Sequence, residues 1–230
     1  MKRAILSIFI SLIIVFPFVV QGQQFYRVKA DFSIKEKNAD STSALTMGTV
    51  YYDKNVKQII YEITFPRKET WILSDTTIYR LVEGKLESKT FAPNMAEFTI
   101  FHLTLTGNLY NYGLEKSVYK IIKVEKEEDM VLSTWAPQGQ LKEHFGNVIM
   151  SHKEKKLFGI VMLSKEEEKV LSRQFFRKYQ NINGLEFPGE ILQFTYKGDG
   201  ENIKMTTFKN IIIDDVSENE IYNYSLSDLR

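Results

Sequence analysis

Period-two alternation runs through nearly all of the chain beyond its apolar start. Between Phe25 and Lys35, the residues Tyr26, Val28, Ala30, Phe32 and Ile34 alternate with Arg27, Lys29, Asp31 and Ser33, the signature of a strand with one buried face. Leu45 to Asp53 is a second such run, and Asp53-Lys54-Asn55 supplies turn residues before Gln58 to Phe65. Pro66 ends that strand, because proline lacks the amide donor and fixes its own φ. Thr70 to Ser74, Thr77 to Val82 and Leu86 to Phe91 follow, divided by Asp75-Thr76 and Glu83-Gly84-Lys85. Strands resume over Tyr119 to Lys126, Met130 to Ala136, Leu141 to His152 and Lys156 to Leu163. Glu166-Glu167-Glu168 marks a solvated turn, and Val170 to Tyr179, Glu190 to Lys197, Ile203 to Phe208 and Ile211 to Val216 complete the set. Lys197-Gly198-Asp199-Gly200-Glu201 has the composition of a hairpin loop.

One stretch breaks the alternation. After Pro93-Asn94, the residues Met95, Phe98, Phe101 (or His102) and Leu105 recur near helical spacing. Asn94 with Glu97 three residues later fits an N-terminal capping arrangement, and Gly107 suits the end. Asn108 to Glu115 reads as a turn or short second helix rich in tyrosine. A sheet of about ten or more twisted strands must curl, close or split. The pattern therefore predicts a mainly β fold with a helical lid: a curled antiparallel half-barrel with an apolar concave face. No linker and no repeat of fixed period divides it, so residues 23–230 read as a single domain.

The apolar start has a different purpose. Met1-Lys2-Arg3 precedes a run from Ala4 to Val20 that is apolar apart from Ser7 and Ser11, and Val20-Gln21-Gly22 sets small residues at −3 and −1 of a cleavage site. Residues 1–22 are expected to be a cleavable Sec-type signal peptide; the competing reading is a retained anchor, for which the run is at the short limit. Cleavage leaves 28 basic against 29 acidic residues, where the whole chain has 30 and 29. There is no cysteine, hence no disulfide, thiolate site or acylated N-terminal Cys, and Gln23 stands where a lipoprotein would need one. Export to a periplasm in soluble, unanchored form is the expectation, and the near-zero charge excludes a nucleic-acid binder that works by bulk attraction.

Catalytic chemistry finds little support. His144 and His152, eight positions apart on one strand, would stand roughly 26 Å apart, too far for one metal ion. His102 lies on or beside the helical stripe, where a partly buried, satisfied imidazole is the simpler reading. No nucleophile elbow, P-loop or dinucleotide fingerprint occurs. Asp214-Asp215 and Glu127-Glu128-Asp129 read as solvated carboxylates, and Arg173 and Arg177 share a face with Phe175 that reads as solvent-facing. No catalytic residue, metal or cofactor is assigned. What stands out is apolar material: Met95, Phe98, Phe101 and Leu105 on the lid can face Val50, Tyr52, Ile60, Ile63, Trp71, Leu73, Ile78 and Leu132 on strands. Either these residues fill a core, or they line a hollow for an acyl chain.

The order of these segments resembles the periplasmic lipoprotein carriers, the LolA-type proteins and their relatives. The resemblance rests on Ala30-Asp31-Phe32, on Gly48-Thr49-Val50-Tyr51-Tyr52, and on the aromatic strand Ile59 to Phe65 ending in Pro66. It continues through Ile72 to Leu81 with Ser74-Asp75 at the turn, then Asn183-Gly184-Leu185-Glu186-Phe187-Pro188, the Gly-Asp-Gly loop and Thr206 to Ile211. It implies a half-barrel whose cavity shields lipoprotein acyl chains in transit to the outer membrane, without hydrolysis. The best-known carriers latch their lid with an Arg in a third-strand Phe-Arg-Trp run; the matching stretch, Gln58-Ile59-Ile60-Tyr61, has none. The leading expectation is a monomeric carrier of lipoprotein acyl chains or other lipid, with envelope membrane proteins as further partners. A sensor or scaffold that binds a protein on its concave face is the second, and a hydrolase using two acidic residues the third.

Overall fold

The computed structural model describes residues 24–92, 96–166, 169–198 and 200–226. The expected signal peptide, Pro93-Asn94, Met95, Glu167-Glu168 and Asp199 lie outside the described residues. Thirteen strands appear among the described residues. The first six are β1 (Arg27–Lys37), β2 (Ser43–Asp53), β3 (Gln58–Phe65), β4 (Glu69–Ser74), β5 (Thr77–Val82) and β6 (Lys85–Phe91). After the helical stretch come β7 (Tyr119–Glu127), β8 (Met130–Pro137), β9 (Val148–Lys153), β10 (Lys156–Leu163), β11 (Val170–Ile182), β12 (Leu185–Lys197) and β13 (Gly200–Ile213).

All thirteen form one antiparallel sheet in the order β6-β5-β4-β3-β2-β1-β13-β12-β11-β10-β9-β8-β7. Each half of the chain is a meander of neighbouring hairpins. The single non-local junction is β1 on β13, where Val28 faces Ile213 and Phe32 faces Phe208. β6 and β7 are left at the two edges, so the sheet curls without closing.

Three expected strands differ. Leu141 to Phe145 is not extended: a 3-10 turn occupies Gly139–Glu143, and β9 starts only at Val148. Ile203 to Phe208 and Ile211 to Ile213 are one strand, which stops short of Val216 and is bent by a bulge where Lys29 pairs with Ile212 but Asp31 with Lys209. Asn210 takes the left-handed conformation there at φ 49°, and its amide donates to Asp31 at 2.7 Å. A bulge resets side-chain parity, and that made one strand look like two.

The main core lies on the concave face, built from the alternating set Val28, Ala30 and Phe32 of β1 with Val50, Tyr52, Ile59 and Ile63. A second, smaller cluster sits on the back of β2 to β5, where Tyr51, Ile60, Ile72 and Leu81 are covered by Tyr222 of the C-terminal segment. Gln58 secures that segment: its amide accepts from the Tyr224 N–H at 2.7 Å and donates to the Tyr224 carbonyl at 3.2 Å. With both faces covered, β2 and β3 bury successive residues and lose their alternation, as in Val50-Tyr51-Tyr52 and Ile59-Ile60.

The crossing from β6 to β7 packs into the concave face. It holds a 3-10 turn (Ala96–Phe98), the helix α1 (Ile100–Leu105) and a second 3-10 turn (Leu114–Lys116). Thr99 caps α1, its side chain accepting from the His102 N–H, while Glu97 pairs with Lys57 at 3.0 Å. Phe101 of α1 is the plug. Its ring stacks on Phe187 at 6.0 Å and meets Phe208 edge-on at 5.4 Å, with Tyr52 at 6.1 Å. The hydroxyl of fully buried Tyr52 needs a partner, and Nδ1 of His102 lies 2.6 Å away. Further along, the Tyr110 carbonyl meets Nε2 of buried His152 at 2.7 Å, their rings 4.1 Å apart.

Gly48 stands where β2 and β3 come closest: a Cβ there would sit 2.0 Å from the Glu62 carbonyl oxygen. Gly48→Ala is expected to cost about 1–3 kcal/mol, read as a lower denaturation midpoint; an unchanged midpoint would show that the two strands separate freely. His102 gives a pH dependence. Burial, aided by Lys57, Lys54 and Lys116 and opposed by Glu97, lowers its pKa from 6.5. The unfolded chain therefore takes the proton first, so the contribution of the neutral imidazole is complete above about pH 6.5 and is lost as pH falls below it. Between about pH 7 and 5 the thermal midpoint should fall more steeply in the wild type than in His102→Gln. Parallel slopes would remove His102 from the account.

Candidate functional site

Phe101 fills only one end of the concave face. Beyond it, three hollows run side by side across the sheet. The first, about 200 Å³, is walled by Ile63, Trp71, Leu73 and Ile78 of β3 to β5. A central one of about 240 Å³ lies against Phe176, Ile191 and Phe208, with Phe98 and Phe101 of the lid on its other side. The third, about 230 Å³, reaches Tyr119, Phe145, Val148, Met162 and Leu171. The first and second share Phe32, Ile34, Tyr61, Thr99 and Lys204 as walls, and the second and third share Phe98 and Tyr112. Singly, each is smaller than the ~300 Å³ at which small-molecule pockets begin; as neighbours along one trough they together offer more.

The strand pattern explains this hollow. Side chains at positions two apart share a face, so Phe32 and Ile34 continue the apolar stripe of β1 past the reach of α1. Among the described residues nothing fills the stripe there. Trp71 and Phe98 consequently stay 39% and 49% exposed, although large aromatic side chains usually find cover.

Sequence-predicted residues divide into three groups. Ile63, Trp71, Leu73, Ile78, Phe98 and Phe101 line the trough. Val50, Tyr52 and Leu105 are buried beneath it, packed around the plug, and line none of the three hollows. Ile60 and Leu132 stand on the other side of the sheet. Ile60 is adjacent to inward-facing Ile59 and packs in the rear cluster, and Leu132 is adjacent to Ser133, which shares the inner face of β8 with Trp135. Strand parity excludes both from the concave face. The structure adds Phe32, Ile34, Tyr61, Phe176, Ile191 and Phe208 to the walls. Phe32 and Ile34 are legible from the alternation of β1; the β11 to β13 residues need the strand order, which no local pattern carries.

Charge gathers at one end of the trough, next to Trp71. Glu69 is 9% exposed and accepts from Arg80 at 2.7 and 2.9 Å, from the Trp71 indole N–H at 2.8 Å and from Arg67. Arg80 first, then Trp71 and Arg67, hold its carboxyl down at about 2 against the opposing effect of burial. Arg80 is shared with Glu87 at 2.9 Å. This cluster fixes the indole plane of an exposed tryptophan at the trough wall. Among the described residues, no three His, Asp or Glu side chains converge as metal ligands. The chemistry the trough offers is the binding of apolar surface with a few hydrogen-bonding groups beside it. Among the described residues no helix is long and apolar enough to cross a membrane.

No protein-family model matches the sequence, and no curated protein matches it. Solved structures do. A LolA superfamily protein from Nitrosomonas europaea superposes with a TM-score of 0.56 at 12% identity, over 84% of this chain and 89% of that one. A DUF1329 family protein from Desulfovibrio piger gives 0.60 at 8% identity, over 90% and 93%. A putative outer membrane lipoprotein-sorting protein domain from Vibrio parahaemolyticus gives 0.57 at 11% identity, over 87% and 90%. The agreement spans nearly the full length on both sides, and at these identities it speaks for architecture alone. The chain has a LolA-like fold.

Proposed function

We propose that this protein is a periplasmic carrier that shields the acyl chains of a lipid or lipoprotein in its concave trough on the way towards the outer membrane. The observation that carries the reading is the chain of three adjoining hollows beside half-exposed Trp71 and Phe98. An acyl chain is long, thin and apolar, and a row of narrow hollows suits it better than it suits a compact solute. In this reading residues 1–22 direct export and are removed, and the mature protein travels as an unanchored monomer.

Magnitudes fit a carrier. Burying about ten methylenes gains roughly 8 kcal/mol. Association itself costs about 4 kcal/mol or more, which leaves binding weak enough to reverse. A receiving partner in the envelope then needs to offer only slightly more apolar cover. Nothing in this sequence of events requires bond cleavage.

The test replaces Phe98 or Trp71 by Asp, since both are exposed enough to change without emptying the core. Phe101 is unsuitable, being 1% exposed within the aromatic stack. Each variant should stay folded, Trp71→Asp with a lowered thermal midpoint because Glu69 loses its indole donor, and each should lose at least about tenfold in affinity for a fluorescent fatty acid, because a carboxylate in the wall opposes burial of the chain. Native mass spectrometry of protein taken from its own periplasm should show bound lipid. Unchanged uptake by both folded variants, or a protein partner without lipid, would overturn the carrier in favour of a protein-binding scaffold of the same fold.

A further inference from the structure

The trough is not apolar throughout. One register step beyond its apolar floor, four neighbouring strands present polar side chains in a straight row. Gln174 of β11 pairs with Gln193 of β12, Gln193 with Lys204 of β13, and Lys204 with Glu36 of β1. At the usual strand spacing the row is about 14 Å long. The row two residues deeper is Phe176, Ile191, Thr206 and Ile34, and Phe208 beside Phe32 lies deeper still. Polarity is thus graded along the strands, from aromatic through aliphatic to charged.

Gln174, Gln193 and Lys204 all line the central hollow, and Lys204 also lines the neighbouring one. Their polar atoms are lightly used. Gln174 accepts only a long bond of 3.3 Å from the Tyr112 hydroxyl. The Gln193 amide has no hydrogen bond to another described residue. Lys204 has Glu36 as its ion-pair partner at 3.9 Å, with the two side chains 45% and 41% exposed. An ion pair that long and that exposed contributes little and exchanges readily. A cation and two amides with spare donors, set at the boundary of an apolar hollow, match a ligand whose chain ends in anionic oxygens.

We propose that Lys204, with Gln193 and Gln174, seats the anionic head group of the chain-bearing ligand, so that the trough selects amphiphiles with a carboxylate or phosphate over neutral ones. The inference rests on the acyl-binding reading above and narrows it to a ligand class. The apolar end lies towards Phe32 and Phe208, and the head displaces Glu36 from the Lys204 ammonium.

The full-length mature protein should be titrated with four ligands of equal chain length: hexadecanoate, a C16 lysophosphatidate, hexadecanol and hexadecylamine. Both anions should bind at least about tenfold more tightly than the alcohol, and the difference should shrink at high salt, as a charge contact requires. Lys204→Met should bring the ratio of acid to alcohol close to one, Lys204→Arg should keep it, and Lys204→Glu should turn the preference towards the amine. Tight binding of only one anion assigns the head as carboxylate or phosphate. Equal binding of acid and alcohol by the wild type, or a preference that survives in Lys204→Met, would overturn the head-group assignment and leave chain binding intact. Failure of all four ligands would instead remove the acyl-binding reading itself.

Discussion

The pairing of β1 with β13 is the contact on which the rest of the molecule depends. Every other ladder joins neighbours in sequence across a connection of ten residues or fewer, an inexpensive closure, whereas this one joins segments at opposite ends of the described chain. Charged groups gather around it. Asp214 accepts from the backbone of Tyr26 at 2.7 Å and of Arg27 at 3.1 Å, and Arg27 reaches Asp53 at 2.6 Å. Lys29 meets Glu218 on the back. Once β1 and β13 are joined, two meanders become one sheet, and their free ends, β6 and β7, are carried to opposite edges. The segment between them has to span the concave face. The lid therefore follows from topology before any side chain of it is considered.

Front and back of the sheet are finished differently, and the difference accounts for where the hollow lies. On the back, the C-terminal segment lays Tyr222 over Tyr51, Ile60, Ile72 and Leu81, an aromatic edge 5.5 Å from the Tyr51 ring. On the front, the lid sets Phe101, Leu103 and Leu105 into the floor, with Leu109 and Leu114 behind. The helical turn is short, so its apolar reach ends before the stripe of β1 does. The rear cluster and the floor around the plug are thereby filled, while Ile34, Tyr61 and Trp71 keep open space in front of them. A longer or more apolar helix would have closed that space and made an ordinary core.

Most of the strand content was legible because alternation and turn residues agree, as in Val28, Ala30 and Phe32 before the 38–42 turn. The lid was legible from one interruption of that rhythm. Pattern and structure part where two rules compete. Leu141 to Phe145 looks extended in composition but forms a 3-10 turn, and the bulge at Asn210 inverts parity within one strand. Ile60 looked like a wall residue because burial on both faces of β3 hides which side each residue serves. Lys204 carried no local signal of any kind. Its position beside two glutamines arises from the register of three strands, and register between strands is not written in either strand alone. The third-strand Arg of the best-known carriers is absent; a buried contact between His102 and Tyr52 holds α1 to the sheet here.

An unclosed sheet has two selvedges, and each is a template for someone else's strand. On β7 the side chains Ile121, Ile122 and Val124 are 51%, 58% and 59% exposed along an edge that no described strand covers, a surface suited to stacking copies edge to edge. Lys120, Lys123 and Lys126 are interleaved with them, and Ile121 to Lys123 carries a bulge. Such charges act as gatekeepers that make a like edge unwelcome. The openness that provides the trough thus also creates a fraying margin of fabric, and three lysines and a kink guard it against a second copy.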